Sequence, residues 1–85
     1  MTVSFTDEGW EDYLSWHDDR RTLRQIVKLI ADIQRNANTG YGRPERLRGD
    51  RSGWWSRRID EKNRLVYRIL ADDRTEIAQC RGHYD

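Results

Sequence analysis

The stretch Gly53-Trp54-Trp55-Ser56-Arg57-Arg58-Ile59-Asp60-Glu61-Lys62-Asn63-Arg64-Leu65-Val66-Tyr67 decides how this chain folds. Two runs, Trp55 to Ile59 and Arg64 to Leu70, are rich in aromatic and β-branched residues and flank a polar tetrad, the pattern of a β-hairpin. A three-residue loop, Glu61-Lys62-Asn63, with Asn63 in the left-handed conformation, sets Asp60 opposite Arg64, Ile59 opposite Leu65 and Arg57 opposite Tyr67. Trp55, Ile59, Leu65, Tyr67 and Ile69 then share one face, and Arg58, Asp60, Arg64, Val66 and Arg68 share the other. A two-residue loop at Glu61-Lys62 would set Ile59 against Arg64 and mix the faces, which a sheet with one buried side disfavours.

The 85 residues make one domain, 1–85, with a small core. Charged residues reach 36%, and four Trp supply large buried areas from few positions. The net charge of +1 gives no global argument for a nucleic-acid partner, yet the charge is segregated. Residues 42–68 carry nine basic and four acidic side chains, whereas 1–36 carry five and seven. A basic middle between acidic flanks is a footprint for phosphates or an acidic partner. The single cysteine, Cys80, forms no internal disulfide, and no leader or membrane-length apolar run is legible, so a cytoplasmic setting without membrane contact is expected.

Upstream of the hairpin, Val3 and Phe5 alternate in a first strand over Thr2 to Phe5. Thr6-Asp7-Glu8 starts a helix whose apolar face is Trp10, Tyr13 and Leu14. Asp18 or Asp19 caps a second helix, with Leu23, Ile26, Val27, Ile30 and Ile33 facing in and Arg20, Arg21, Arg24, Lys28 and Asp32 facing out. A loop from Asn36 to Pro44 leads to Glu45, with Leu47 as an apolar anchor. The last strand runs from about Glu76 to Tyr84, with Ala78 and Cys80 alternating against Gln79, Arg81 and His83; Ile77 falls on the polar side. The order β-αα-βββ predicts an α+β domain, a helical hairpin packed on one face of an antiparallel sheet.

With that face covered, the other offers Arg58, Arg64 and Arg68, joined by Arg81 and His83 and approached by Glu45. Such a set can cleave a phosphodiester through the RNA 2′-hydroxyl: a carboxylate takes the hydroxyl proton, an imidazole protonates the leaving oxygen, and cations stabilise the charge on phosphorus oxygens. Neither a metal nor a cofactor is required. Taken singly, the same residues also read as a solvated arginine face, a surface histidine and a solubilising glutamate. His17, His83 and Cys80 lack the close spacing of metal ligands.

Five motifs stand out along the chain: Trp10-Glu11-Asp12-Tyr13-Leu14 with Trp16, Gly42-Arg43-Pro44-Glu45 with Leu47, Ser52-Gly53-Trp54-Trp55-Ser56-Arg57-Arg58-Ile59, Asn63-Arg64-Leu65-Val66-Tyr67, and Cys80-Arg81-Gly82-His83-Tyr84. On these motifs the chain resembles the YoeB toxins of the YefM–YoeB type II toxin–antitoxin family, within the RelE/ParE superfamily. The resemblance implies a RelE-like microbial RNase fold and ribosome-dependent, metal-independent cleavage of mRNA at the A site. By motif, Glu45 becomes the general base, Arg64 the transition-state cation and His83 the general acid, with Tyr84 completing the active-site edge. Arg48 and Arg58 bind the RNA backbone, beside Arg68 and Arg81 of the arginine face. A YefM-like antitoxin, the ribosome with its rRNA and mRNA, and a homodimer are the partners implied. Arg48 stands where relatives often have Lys, Gly82 where a larger residue is common, and Asp85 adds a carboxylate beside a phosphate site. A non-catalytic ParE-like binding toxin and a small RNA-binding module are the competing readings.

Overall fold

The computed structural model describes residues 2–71 and 73–83. Its elements are β1 (Thr2–Phe5), α1 (Asp7–Ser15), α2 (Arg20–Asn36), β2 (Glu45–Arg46), a 3-10 turn (Gly49–Arg51), β3 (Trp55–Arg58), β4 (Arg64–Leu70) and β5 (Arg74–Gln79). The strands form one sheet in the order β1-β5-β4-β3-β2. Strands β2 to β5 pair antiparallel, but β1 lies parallel to β5, so the expected antiparallel sheet is a mixed one. A parallel pair needs a long crossover, which everything between β1 and β5 supplies here.

The hairpin register differs from expectation by two residues: Arg58 faces Arg64, Arg57 faces Leu65 and Trp55 faces Tyr67. Asn63 does not adopt a left-handed φ. Instead the Asp60 Oδ1 accepts from the Lys62 and Asn63 amides, each at 2.8 Å, an Asx turn that closes a longer connection. A slip of two preserves side-chain parity, so the two predicted faces survive.

In β5, Tyr67 pairs with Ile77 but Val66 pairs with Gln79, leaving Ala78 as an extra residue in a β-bulge. The bulge resets the alternation. Ile77 therefore reaches the core despite its predicted polar side, Gln79 lies on the arginine face, and Cys80 returns to the core. The strand ends at Gln79, not Tyr84. Its carbonyls at the bulge receive the start of α1: Thr6 N donates to Ile77 O (2.9 Å) and Thr6 Oγ1 to Ala78 O (3.4 Å), while Thr6 Oγ1 accepts the Gly9 amide (3.1 Å). A Cβ on Gly9 would overlap the Ile77 carbonyl, so α1 can dock this closely only on a glycine.

Cys80 is fully buried beneath α1, its amide donating to Asp12 Oδ2 (3.0 Å) and its carbonyl accepting from Trp16 Nε1 (2.8 Å). Burial first, and the Asp12 carboxylate second, push its thiol up to about 12, with Arg81 opposing. The thiol is thus expected to resist a thiol-reactive probe at about pH 8 until denaturant is added. Rapid native labelling would show that α1 does not seal this end of the core.

Helix α2 starts on Asp19, which accepts the Thr22 amide at 3.0 Å. Its inward face is Ile26, Leu29, Asp32 and Ile33; Val27, expected inside, is 51% exposed. Asp32, expected outside, is buried because Arg57 is buried on the facing strand. The Arg57 guanidinium bonds Asp32, the carbonyls of Ala37 (2.6 Å), Thr39 (2.7 Å) and Tyr41 (3.0 Å), and the Tyr67 hydroxyl (3.4 Å). One arginine thereby satisfies the loop between α2 and β2, whose carbonyls would otherwise be orphaned.

The Arg57 hydrogen bond holds the Asp32 carboxyl below its ordinary value of 3.8, against desolvation and aided by Asn36 and the Tyr41 amide. Asp60 is also lowered: burial works against it, and bonds from Asn63 and the Lys62 amide outweigh burial. Depressed folded-state values stabilise above the ordinary carboxylate range, and this contribution is lost as pH falls through that range. The urea midpoint is expected to drop between roughly pH 5 and pH 3. A flat midpoint across that window would contradict the pairings.

Candidate functional site

On the sheet face opposite the helices, cross-strand pairing arranges side chains in rows. One row is Arg58 with Arg64; the next is Glu45, Ser56, Val66 and Gln79; beyond them lie Arg68 and Glu76. The sequence placed Glu45 in a loop, but it occupies a two-residue edge strand, paired with Ser56. Leu47 is buried just beyond it, and its amide donates to Trp54 O at 3.0 Å. On the other side, Arg58 N donates to Gly42 O at 2.7 Å. Glu45 is therefore fixed from both ends of its short strand.

Arg58 and Arg64 are directly opposite, an arrangement that costs stability unless an anion lies between or beside them. The Glu45 Oε2 is 3.9 Å from Arg64 Nη1, and the Arg64 side chain is only 13% exposed against 58% for Glu45. At that separation the pair attract electrostatically without a tight hydrogen bond, so the carboxylate keeps lone pairs for another donor. Arg48 and Arg58 take part in no ion pair among the described residues.

The C-terminal segment reaches the same place through its backbone. Arg64 N donates to Gly82 O at 2.9 Å, and Gly82 N donates to Asn63 Oδ1 at 2.8 Å. Gly82 has φ +84°, which glycine adopts without strain, and His83 follows directly. Glu45, Arg58, Arg64 and the backbone leading into His83 are thus brought together. Tyr84 and Asp85 lie outside the described residues.

Two expected members of the arginine face are engaged elsewhere. Arg68 is paired with Glu76 (Nη2 to Oε1, 2.7 Å) and lies 4.4 Å over the Trp54 ring. Arg81 leaves the face altogether, since the strand has ended: its guanidinium stacks 3.8 Å over Trp16 and donates to Ser15 Oγ at 2.8 Å. The face is also less open than expected. Ser56, Val66 and Gln79 are buried, and Arg51 Nη1 donates to Gln79 Oε1 at 3.2 Å.

The model of the family described as the YoeB-like toxin of bacterial type II toxin–antitoxin systems matches residues 5–84. The chain belongs to this family. Toxin YoeB of Streptomyces coelicolor is 52% identical over 85 residues, covering 99% of this chain and all of the relative. A solved YoeB/ParE toxin from Agrobacterium tumefaciens superposes with a TM-score of 0.95 at 42% identity, over 99% of this chain and 100% of its own. YoeB of Staphylococcus aureus, solved as a dimer and in complex with YefM, gives TM-scores of 0.88 and 0.89 at 35% and 34% identity, covering 99% of this chain and 98% of its own.

This YoeB-family chain is a toxin of a type II toxin–antitoxin system with the RelE-like α+β fold. No helix among the described residues is long and apolar enough to cross a membrane, and none of their His, Cys, Asp and Glu side chains form a group of three that could hold a metal ion. Sequence reasoning missed the anchoring residues around the site. Asp60 and Asn63 carried a readable signal, an acid three residues before an amide in a turn. Arg57 carried another, since its parity put a guanidinium in the core and demanded a buried acid.

Proposed function

We propose that this toxin is an endoribonuclease that cuts mRNA at the ribosomal A site by general acid–base catalysis without a metal. The observation that carries the reading is the Glu45, Arg58 and Arg64 cluster: two opposed cations with a loosely held carboxylate at their edge. A bridging phosphate would relieve the repulsion between the arginines, and more so as negative charge builds in the transition state. Glu45 removes the 2′-hydroxyl proton, Arg64 stabilises the phosphorus oxygens, and His83 protonates the leaving 5′ oxygen. Tyr84 completes this edge, and Arg48 and Arg58 hold the RNA backbone. Arg68 and Arg81, already paired or stacked within the chain, contribute less to RNA binding than the sequence implied.

Likeness to the YefM-bound and dimeric relatives supports a YefM-type antitoxin and a homodimer as partners. The ribosome, with its mRNA and rRNA, is the target, and the cytoplasm is where the toxin meets it. The test is primer extension on mRNA in programmed ribosomes, with His83→Ala beside the wild type. A cut within the A-site codon that His83→Ala abolishes while still binding ribosomes is the expected result. Silence from a folded, antitoxin-free wild type would favour the RNA-binding module if both proteins still bind RNA equally, and the ParE-like binding toxin if neither does.

A further inference from the structure

Asn63 joins two hydrogen-bonded systems. Toward the hairpin, its Nδ2 lies 3.1 Å from both carboxylate oxygens of Asp60, and its amide donates to Asp60 Oδ1 at 2.8 Å. Toward the C-terminus, its Oδ1 accepts the Gly82 amide at 2.8 Å, while the next residue, Arg64, donates its amide to Gly82 O at 2.9 Å. Both polar groups of the Gly82 backbone are therefore bonded to adjacent hairpin residues. Among the described residues, no strand ladder carries the chain past Gln79. The hairpin clamp at Gly82 takes over that role one residue before His83.

We infer that Asn63 is a positioning residue for the C-terminal part of the site: locked to Asp60, it holds Gly82 against Arg64 and so sets where the backbone delivers His83. This rests on the acid–base reading above and adds a residue to it. The side chain does two things that a simpler one cannot. Its amide nitrogen ties it to the Asx turn, which fixes its rotamer, and its oxygen is left aimed at the tail. A clamp that restricts the tail before substrate arrives lowers the ordering cost of reaching the transition state, an effect on rate more than on binding.

The experiment has two readouts on three proteins: wild type, Asn63→Ala, and the exchanged pair Asp60→Asn with Asn63→Asp. The exchanged pair keeps an acceptor for Gly82 and a donor–acceptor bond within the turn. Hydrogen exchange at the Gly82 amide, read by NMR, is expected to quicken about tenfold or more in Asn63→Ala and to return toward wild type in the exchanged pair. Single-turnover cleavage on programmed ribosomes should fall about tenfold in Asn63→Ala at saturating toxin, with half-saturation unchanged, and recover in the exchanged pair. Unaltered Gly82 exchange in Asn63→Ala would overturn the clamp. A freed tail with an undiminished cleavage rate would overturn the positioning role. If the wild type cuts no mRNA, the nuclease reading and the positioning role fail together, while the exchange data still decide whether the clamp exists.

Discussion

Replacing Arg57 with methionine is expected to cost about 3–5 kcal/mol of stability. Methionine fills similar space but leaves the Asp32 carboxylate without its cation and the carbonyls of Ala37, Thr39 and Tyr41 without their donor. Small domains have about 5–15 kcal/mol in total, so Arg57→Met should be largely unfolded in mild urea. The loop it releases leads directly to β2, so the surviving folded fraction should also present Glu45 poorly. Adding Asp32→Leu should restore part of the loss, because removing both charges is less harmful than stranding one. A urea midpoint for Arg57→Met close to wild type would show that the buried network is dispensable.

The second large effect separates stability from activity. Arg64→Ala removes one of two opposed arginines together with its loose pairing to Glu45, so stability should change little, while the hydrogen bond from the residue-64 amide to Gly82 O is retained. Cleavage should nonetheless fall about 10²–10³-fold, the usual cost of losing a preorganised charge at developing negative oxygen. Glu45→Gln keeps the shape and the edge strand but cannot accept the hydroxyl proton, and a loss of about 10²–10⁴-fold is expected. Single-turnover cleavage in programmed ribosomes and thermal melts on the same samples check both halves. Retention of cleavage within about threefold in either variant would remove that residue from the proposed chemistry.

The two sheet faces were legible because strand parity is a local property, and it survives even a register slip of two. The slip itself was not legible. It follows from Asp60 closing the turn with its side chain, where the favoured reading needed a left-handed Asn63. The end of β5 is hidden for a related reason: alternation cannot be followed through a bulge, so strict alternation puts Ile77 on the polar side and Arg81 in the arginine row, where the structure has neither. Asp32 and Arg57 lie 25 residues apart in sequence, and neither helical nor strand period names such a partner. The candidate site was more legible than the packing around it. Once helices cover one face, strand parity alone sends Arg58 and Arg64 to the other, whereas bulges, Asx turns and buried ion pairs depend on contacts that no local period encodes.

The chemistry of the cut ends tests the acid–base account most directly. Cleavage by the neighbouring 2′-hydroxyl breaks the bond to the 5′ oxygen, so the downstream fragment should carry a 5′-hydroxyl, and a 2′-deoxy substitution at the scissile nucleotide should abolish cutting. A 5′-phosphate on that fragment, or cleavage that survives the deoxy substitution, would mean that water or another nucleophile attacks and that Glu45 and His83 do not have the roles proposed for them.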